Sequence, residues 1–315
     1  MADLIFQPFD PDRQFYQGMY LGGDYVYSAA WDGNGQAIAR TKDGIHWDFT
    51  GGYIPAGNMA GAQGDVLYAS DQNNDYTLLV SKDLGINWGS YSFPTEGREK
   101  NYQITLSKGC ILIRYTTQDA LHVSKDYGVS WKNTGLSNVQ DVIATRRGTY
   151  VMAKDRRTVY FSEDGTSWKT LSSPPLSGEL YAGYAGSEPA FFLPATKGTI
   201  LWLNEASEWV TLALPGTVSA NGVGYGFALH AMEQGGLLLK TTSGSANNPD
   251  NPLFCYFQDS SQIGEVSLVD EFDNGFSYPL GNGIVFPSGY LSVKVTIKRL
   301  PFWNKLLLSN EIIGS

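Results

Sequence analysis

The residues with the most obvious chemical potential are carboxylates. Asp43, Asp83, Asp126 and Asp164 recur at intervals of 40, 43 and 38 residues. Two carboxylates facing one sugar ring suffice for glycoside hydrolysis, and they need closeness in space rather than a fixed spacing in sequence. Trp31 or Trp202 would be the stacking platform in such a site. The densest acid cluster, Asp270, Glu271 and Asp273, stands before Asn274-Gly275 and reads as a solvated turn. His46, His122 and His230 have no paired spacing that would favour a metal. Asp71-Gln72-Asn73-Asn74-Asp75 imitates the first half of a calcium loop. It has Tyr76 where that loop needs its glycine and Lys82 where it needs its closing acid, so it reads as a hairpin turn. Gly22-Gly23, Gly51-Gly52 and Gly235-Gly236 are turn glycines without a phosphate-cradling signature. No nucleophile elbow or Cys/His pair presents itself. The expectation is a chain with no catalytic, cofactor or metal site.

Composition narrows the classes further. The chain has 315 residues, 42% hydrophobic and 17% charged, enough to bury a core. A net charge of −9 argues against nucleic-acid binding through broad phosphate contacts. No apolar run approaches the ~18–20 residues of a membrane span. Met1-Ala2-Asp3-Leu4 lacks a basic segment followed by an apolar one, so no signal peptide is expected. Cys110 and Cys255 allow one bridge at most. With 36 Gly, 19 Tyr, 15 Phe and 8 Trp, the chain leans towards short strands and tight turns.

The elements that hold the aspartates are legible through a repeat. Four segments align: Thr41-Lys42-Asp43-Gly44-Ile45-His46-Trp47, Ser81-Lys82-Asp83-Leu84-Gly85-Ile86-Asn87-Trp88, Ser124-Lys125-Asp126-Tyr127-Gly128-Val129-Ser130-Trp131 and Ser162-Glu163-Asp164-Gly165-Thr166-Ser167-Trp168. A fifth, ending at Trp209, keeps the frame but has lost the Ser/Thr, the Asp and the Gly. The period is about 40 residues. Two β-rich runs precede each motif, which itself joins a third run to a fourth. In the third unit these runs are 101–106, 110–116, 120–124 and 131–134, and in the fourth 139–145, 149–153, 158–162 and 168–171. Four antiparallel strands per period, repeated in tandem, describe the blades of a β-propeller. A single such sheet cannot bury both faces, whereas neighbours can do so.

The pattern Ser/Thr-x-Asp-(x)-Gly-x-x-Trp resembles the Asp-box, or bacterial neuraminidase repeat, over roughly residues 16–214. The resemblance implies a hairpin between third and fourth strands on the outside of a propeller. In it the Asp accepts backbone N–H bonds, the Gly supplies positive φ and the Trp buries an apolar face. Leu84 and Tyr127 are extra residues between Asp and Gly that the loop accommodates. The motif residues Thr41, Asp43, Gly44 and Trp47, Ser81, Asp83, Gly85 and Trp88, Ser124, Asp126, Gly128 and Trp131, and Ser162, Asp164, Gly165 and Trp168 are therefore read as structural. The sialidases of that group have their first arginine in an Arg-Ile-Pro context. Here Arg13 and Arg40 read Asp-Arg-Gln-Phe and Ala-Arg-Thr, which do not match.

Past Trp209, a sixth unit is expected from Val218, 225–231, 236–242 and 253–258, with the polar loop 243–252 as its last hairpin. A seventh would use 265–269, 275–278, 284–287 and 290–298, with Leu4–Phe9 pairing to the last blade as a latch. The expectation is an all-β propeller over 1–299, most simply seven-bladed, its degenerate blades over about 215–299. Six blades plus a C-terminal element are the alternative. Residues 300–315 are expected to form a tail; Lys298, Arg299, Phe302 and Trp303 lie in a stretch, 290–315, whose net charge is +3 and which reads as a closing strand with a snorkelling tail or, alternatively, as a docking arm for a neighbouring subunit. Short Asp-box propellers of this style resemble bacteriophage virion tail proteins. That resemblance implies a non-catalytic structural or host-attachment role in a virion, symmetric or homo-oligomeric assembly with other tail proteins, and a host glycan or receptor as ligand. The rival expectations are a carbohydrate-active enzyme with a central-cleft site and an intracellular assembly factor of the photosystem type.

Overall fold

Runs rich in Val, Ile, Leu and Tyr become strands wherever the chain is described, with no helix among the described residues. The computed structural model describes residues 4–9, 14–15, 20–43, 46–55, 57–71, 77–94, 102–115, 120–145, 147–174, 180–185, 190–194, 199–203, 207–213, 228–231, 237–242, 252–259, 262–267, 278–280, 283–288 and 291–297. Two compact units divide it, one of residues 9–173 with 289–291, the other of 1–8, 174–288 and 292–315. The first strand, β1 (Leu4–Phe9), belongs to the last sheet of the second unit.

The first unit contains four antiparallel sheets. The first holds β2 (Gln14–Phe15), β3 (Tyr20–Gly22), β4 (Tyr25–Trp31), β5 (Gln36–Thr41) and β6 (Asp48–Tyr53). The second holds β7 (Gly57–Gln63), β8 (Val66–Asp71), β9 (Thr77–Ser81) and β10 (Gly89–Ser92). The third holds β11 (Tyr102–Ser107), β12 (Cys110–Tyr115), β13 (Leu121–Ser124) and β14 (Lys132–Asn133); the fourth, β15 (Val139–Ala144), β16 (Thr149–Ala153), β17 (Val159–Ser162) and β18 (Lys169–Thr170). Within this unit β3 neighbours β7, β7 neighbours β11 and β11 neighbours β15. The outermost strands β14 and β18 are two residues long and carry lysine, which blunts an edge that would otherwise recruit another strand.

Stacked sheets explain the unbroken apolar runs. Along β8, Leu67 and Ala69 pack with Tyr27, Ala29 and Ile38 of the first sheet, whereas Tyr68 packs with Ile111, Ile113 and Tyr115 of the third. Along β12, Ile111 and Ile113 face the second sheet and Cys110 and Leu112 join Val139, Val142 and Val151 of the fourth. Alternation therefore sends side chains into two cores rather than to a core and to water. Each fully buried Leu, Ile or Val contributes about 1.5–3 kcal/mol relative to exposure. Polar staples fix how neighbouring sheets meet. Tyr68 Oη donates to Gln63 Oε1 at 3.0 Å, and Gln63 Nε2 donates to the carbonyls of Ser107 (2.6 Å) and Cys110 (2.9 Å). Thr149 Oγ1 donates to Ser107 Oγ at 2.6 Å. Burial pushes the free Cys110 thiol up to about 11, so it stays protonated and inert near neutral pH.

The second unit holds three sheets. They are β19 (Leu180–Ala185), β20 (Ala190–Pro194), β21 (Thr199–Leu203) and β22 (Trp209–Ala213); β23 (Ala228–Ala231), β24 (Leu237–Thr242), β25 (Pro252–Asp259) and β26 (Gln262–Ser267); and β27 (Tyr278–Leu280), β28 (Gly283–Ser288), β29 (Leu291–Ile297) and β1. The pairing expected of Leu4–Phe9 is present, since β1 lies beside β29. The strand frame differs from expectation by one. The loop 243–251 joins the second and third strands of its sheet, not the third and fourth. Residues 262–267 close that sheet instead of opening the next. Without an Asp and a Gly to mark a third-to-fourth hairpin, nothing local sets the phase there. Val218 lies outside the described residues, as do Lys298, Arg299, Phe302 and Trp303.

Candidate functional site

The repeated motif forms the hairpin between third and fourth strands in all four sheets of the first unit. A Ser or Thr ends the third strand and turns its hydroxyl into the loop. Ser81 Oγ donates to Asp83 Oδ1 (2.8 Å) and accepts the Gly85 amide (2.8 Å); Ser124 Oγ does the same with Asp126 and Gly128, also at 2.8 Å each. The carboxylate then gathers the amide of the residue before the tryptophan: Asn87 N to Asp83 Oδ1 (2.9 Å), Ser130 N to Asp126 Oδ1 (2.9 Å), Ser167 N to Asp164 Oδ1 (2.8 Å) and His46 N to Asp43 Oδ1 (2.8 Å). Its second oxygen takes whatever side chain that loop offers: Asn87 Nδ2 at 2.7 Å, Ser130 Oγ at 2.6 Å, Thr166 Oγ1 at 2.5 Å, or the His46 ring at 2.6 Å. The extra residues Leu84 and Tyr127 sit at φ 60° and 61°, ahead of Gly85 at 89° and Gly128 at 88°. The longer hairpins thus use two consecutive left-handed residues.

These bonds all favour the charged carboxylate. The Asn87 amide holds Asp83 below the usual carboxylate range, the Ser130 hydroxyl does so for Asp126, and the Thr166 hydroxyl for Asp164, furthest of the three. A depressed folded-state pKa contributes stability above the unfolded value of about 3.9, and that stability is lost as pH falls through the folded value. Asp164→Asn should therefore melt below the parent at neutral pH. The gap should close in strong acid, as followed by circular dichroism melts between about pH 7 and 2. A gap constant with pH would show that the Asp164 charge has no part in the hairpin.

The second, third and fourth hairpins also fasten their sheets to the ones before them. Trp88 Nε1 donates to the Tyr53 carbonyl (2.7 Å) in the first sheet, and Trp131 Nε1 to the Ser92 carbonyl (3.1 Å) in the second. Thr50 Oγ1 donates to the Leu84 carbonyl (2.8 Å), and the Tyr53 amide to that of Gly85 (3.1 Å). Trp88, Trp131 and Trp168 line the three inter-sheet cores as half-buried members. Trp168 differs, because its buried indole nitrogen has no hydrogen-bond partner among the described residues. Lysines add a further link that sequence reading missed. Lys82 Nζ stands 4.3 Å from the Tyr127 ring centre in the next hairpin, and Lys125 Nζ 3.6 Å from Asp164 Oδ2 in the one after. The Ser-Lys-Asp order repeats in the sequence, but the partner one repeat further on becomes visible only in the fold.

The remaining candidates scatter. His46 is exposed and tied to Asp43, and His122 is buried edge-on to the Tyr115 ring with centroids 6.0 Å apart. Residues 72–76, Asp270, Glu271 and Asp273 lie outside the described residues, as do the side chains of Trp202, His230 and Cys255. Among the described residues no group of three His, Cys, Asp or Glu is placed to hold a metal ion, and no helix is long and apolar enough to cross a membrane. Trp31 and Tyr53 are exposed at the opposite end of the first sheet from its motif hairpin. There Asp32 accepts the amides of Asn34 (2.9 Å) and Gly35 (3.2 Å) and the Tyr53 hydroxyl (2.5 Å).

No protein-family profile and no curated protein matches the sequence, but solved structures do. YCF48 bound to a D1 peptide is similar with a TM-score of 0.60 at 14% identity, over 93% of this chain and 96% of the other. A catalytically inactive virginiamycin B lyase from Staphylococcus aureus, solved with quinupristin, gives 0.61 at 12% identity, over 93% and 99%. The GH74 xyloglucanase from Xanthomonas campestris gives 0.58 at 15%, over 92% of this chain and 53% of its own length. Likeness at such identities is one of fold. The chain is an all-β protein with the four-stranded antiparallel sheets of a β-propeller.

Proposed function

We propose that this propeller is a non-catalytic structural and binding platform, and that it serves as a component of a bacteriophage virion tail in assembly or host-surface attachment. The observation that carries the non-catalytic reading is the use made of the motif carboxylates. Asp83, Asp126 and Asp164 each accept bonds from their own hairpin, an arrangement that accounts for the residue types without a substrate. The binding part draws on neighbours of the same fold solved with a peptide or a small molecule, which is an analogy of fold. The virion assignment rests on the Asp-box character of the repeats and on their density. In that role a rigid stack of sheets presents end loops to a ligand, and several copies in a symmetric assembly convert weak contacts into avidity.

Proteomics of purified particles tests the assignment. The chain is expected to co-sediment with virions at a stoichiometry matching a tail symmetry. Recovery only in the particle-free fraction of a lysate would overturn it. Release of reducing sugar from host polysaccharide, abolished by one Asp or Glu substitution, would overturn the non-catalytic reading.

A further inference from the structure

The tips of the motif hairpins in the first unit carry apolar side chains that packing leaves unexplained. Among the described residues the two most exposed large apolar ones are Val129, at 65%, and Ile86, at 63%. They hold the same place in neighbouring hairpins, directly after the motif glycine. The turn itself uses only their amides, which donate to the carbonyls of Asp126 and Asp83 at 3.3 Å each. Beside them stands Tyr127, 43% exposed and left-handed at φ 61°, an unfavourable conformation for a bulky residue. Its counterpart Leu84, at φ 60°, packs on the core between the first and second sheets, whereas Tyr127 stays half-exposed. The hairpins lie side by side. Lys82 of the second reaches the Tyr127 ring of the third (4.3 Å), and Lys125 of the third donates to Thr166 Oγ1 of the fourth (3.4 Å). Thr166 holds the place of Ile86 and Val129 in its own hairpin. Ile86, Tyr127 and Val129 therefore form one strip rather than scattered single residues, which is the mark of a protein contact.

Charge along the strip selects the partner. The second place of the four motifs reads Lys42, Lys82, Lys125 and Glu163. Lys82 is engaged by the Tyr127 ring and Lys125 by Asp164. The two ends remain accessible: the Lys42 side chain is largely exposed and only 3.9 Å from the exposed Asp24, and Glu163 is exposed with no ion pair among the described residues. A row that is basic at one end and acidic at the other complements itself when reversed, whereas a partner of uniform sign meets repulsion at one end. We propose that this strip is the isologous contact of a homodimer, with a second copy lying on it about a two-fold axis. Reversal brings Ile86 of each copy towards Val129 of the other, and Lys42 towards Glu163 twice over. Burial of the β-branched and tyrosine side chains drives association, and the end charges fix its direction. The contact deepens the symmetric assembly of the proposed function, but the virion assignment stands separately. A dimer absent from particles sinks only that assignment, and a monomer recovered in particles sinks only the dimer.

Sedimentation velocity of the full chain between about 1 and 100 μM tests it. The parent is expected to be dimeric over much of this range. Ile86→Lys combined with Val129→Lys should yield a monomer that melts near the parent, because both side chains are exposed. Lys42→Glu and Glu163→Lys should each weaken dimerisation about tenfold or more, and the two together should restore it. If the Ile86 and Val129 variant fails to fold, the charge pair carries the test. A parent that is monomeric throughout overturns the proposal, as does a dimer that the lysine variant leaves intact or a charge swap that restores nothing.

Discussion

Gly128→Val is expected to lower stability by about 3–5 kcal/mol, seen as a fall of roughly 6–12 °C in melting temperature. Two separate penalties combine at this position. Gly128 has φ 88°, a conformation that costs an ordinary residue about 1–2 kcal/mol. A Cβ built there would also stand 2.7 Å from Leu78 Cδ2 and 3.7 Å from the Trp131 ring, inside the core between the second and third sheets. Gly109 separates the two penalties. It has φ 67° with nothing within 4 Å of a built Cβ, so Gly109→Ala should cost only about 1–2 kcal/mol. If the two substitutions cost the same, the hairpin does not press on the sheet before it.

Trp131→Ala should cost about 2–4 kcal/mol, towards the lower part of the range for aromatic truncation because the indole is only half-buried. It removes an edge-on contact with Phe93, centroids 6.2 Å apart, and the bond to the Ser92 carbonyl. A comparison of phenylalanine substitutions isolates that bond. Trp131→Phe and Trp88→Phe each lose a cross-sheet hydrogen bond, worth about 1 kcal/mol, whereas Trp168→Phe loses none among the described residues. The first two variants should therefore melt below the third in calorimetry. Equal melting points would mean that the indole contributes through area alone.

Much of the first unit is legible in the sequence because its information is local. An Asp that binds amides three or four residues on, a Gly at positive φ and a Trp closing the turn leave a trace within eight residues. The period between traces then yields the sheets. Where the trace fades, so does the phase: beyond Trp209 the strands were foreseeable but their frame slipped by one, since the polar loop 243–251 resembles any other turn-rich stretch. What the hairpins grip was not legible. The carbonyls of Tyr53 and Ser92 carry no side-chain signal, and the Lys82–Tyr127 contact spans 45 residues.

The second, third and fourth motif hairpins act as mortar for the sheets before them and not as isolated turns. Hydrogen exchange of Trp131→Ala against the parent tests this most directly. Amide protection should fall in Gly89–Ser92 of the second sheet as well as in the hairpin 124–131 that carries the substitution. Faster exchange confined to the third sheet, with residues 89–92 as protected as in the parent, would contradict it.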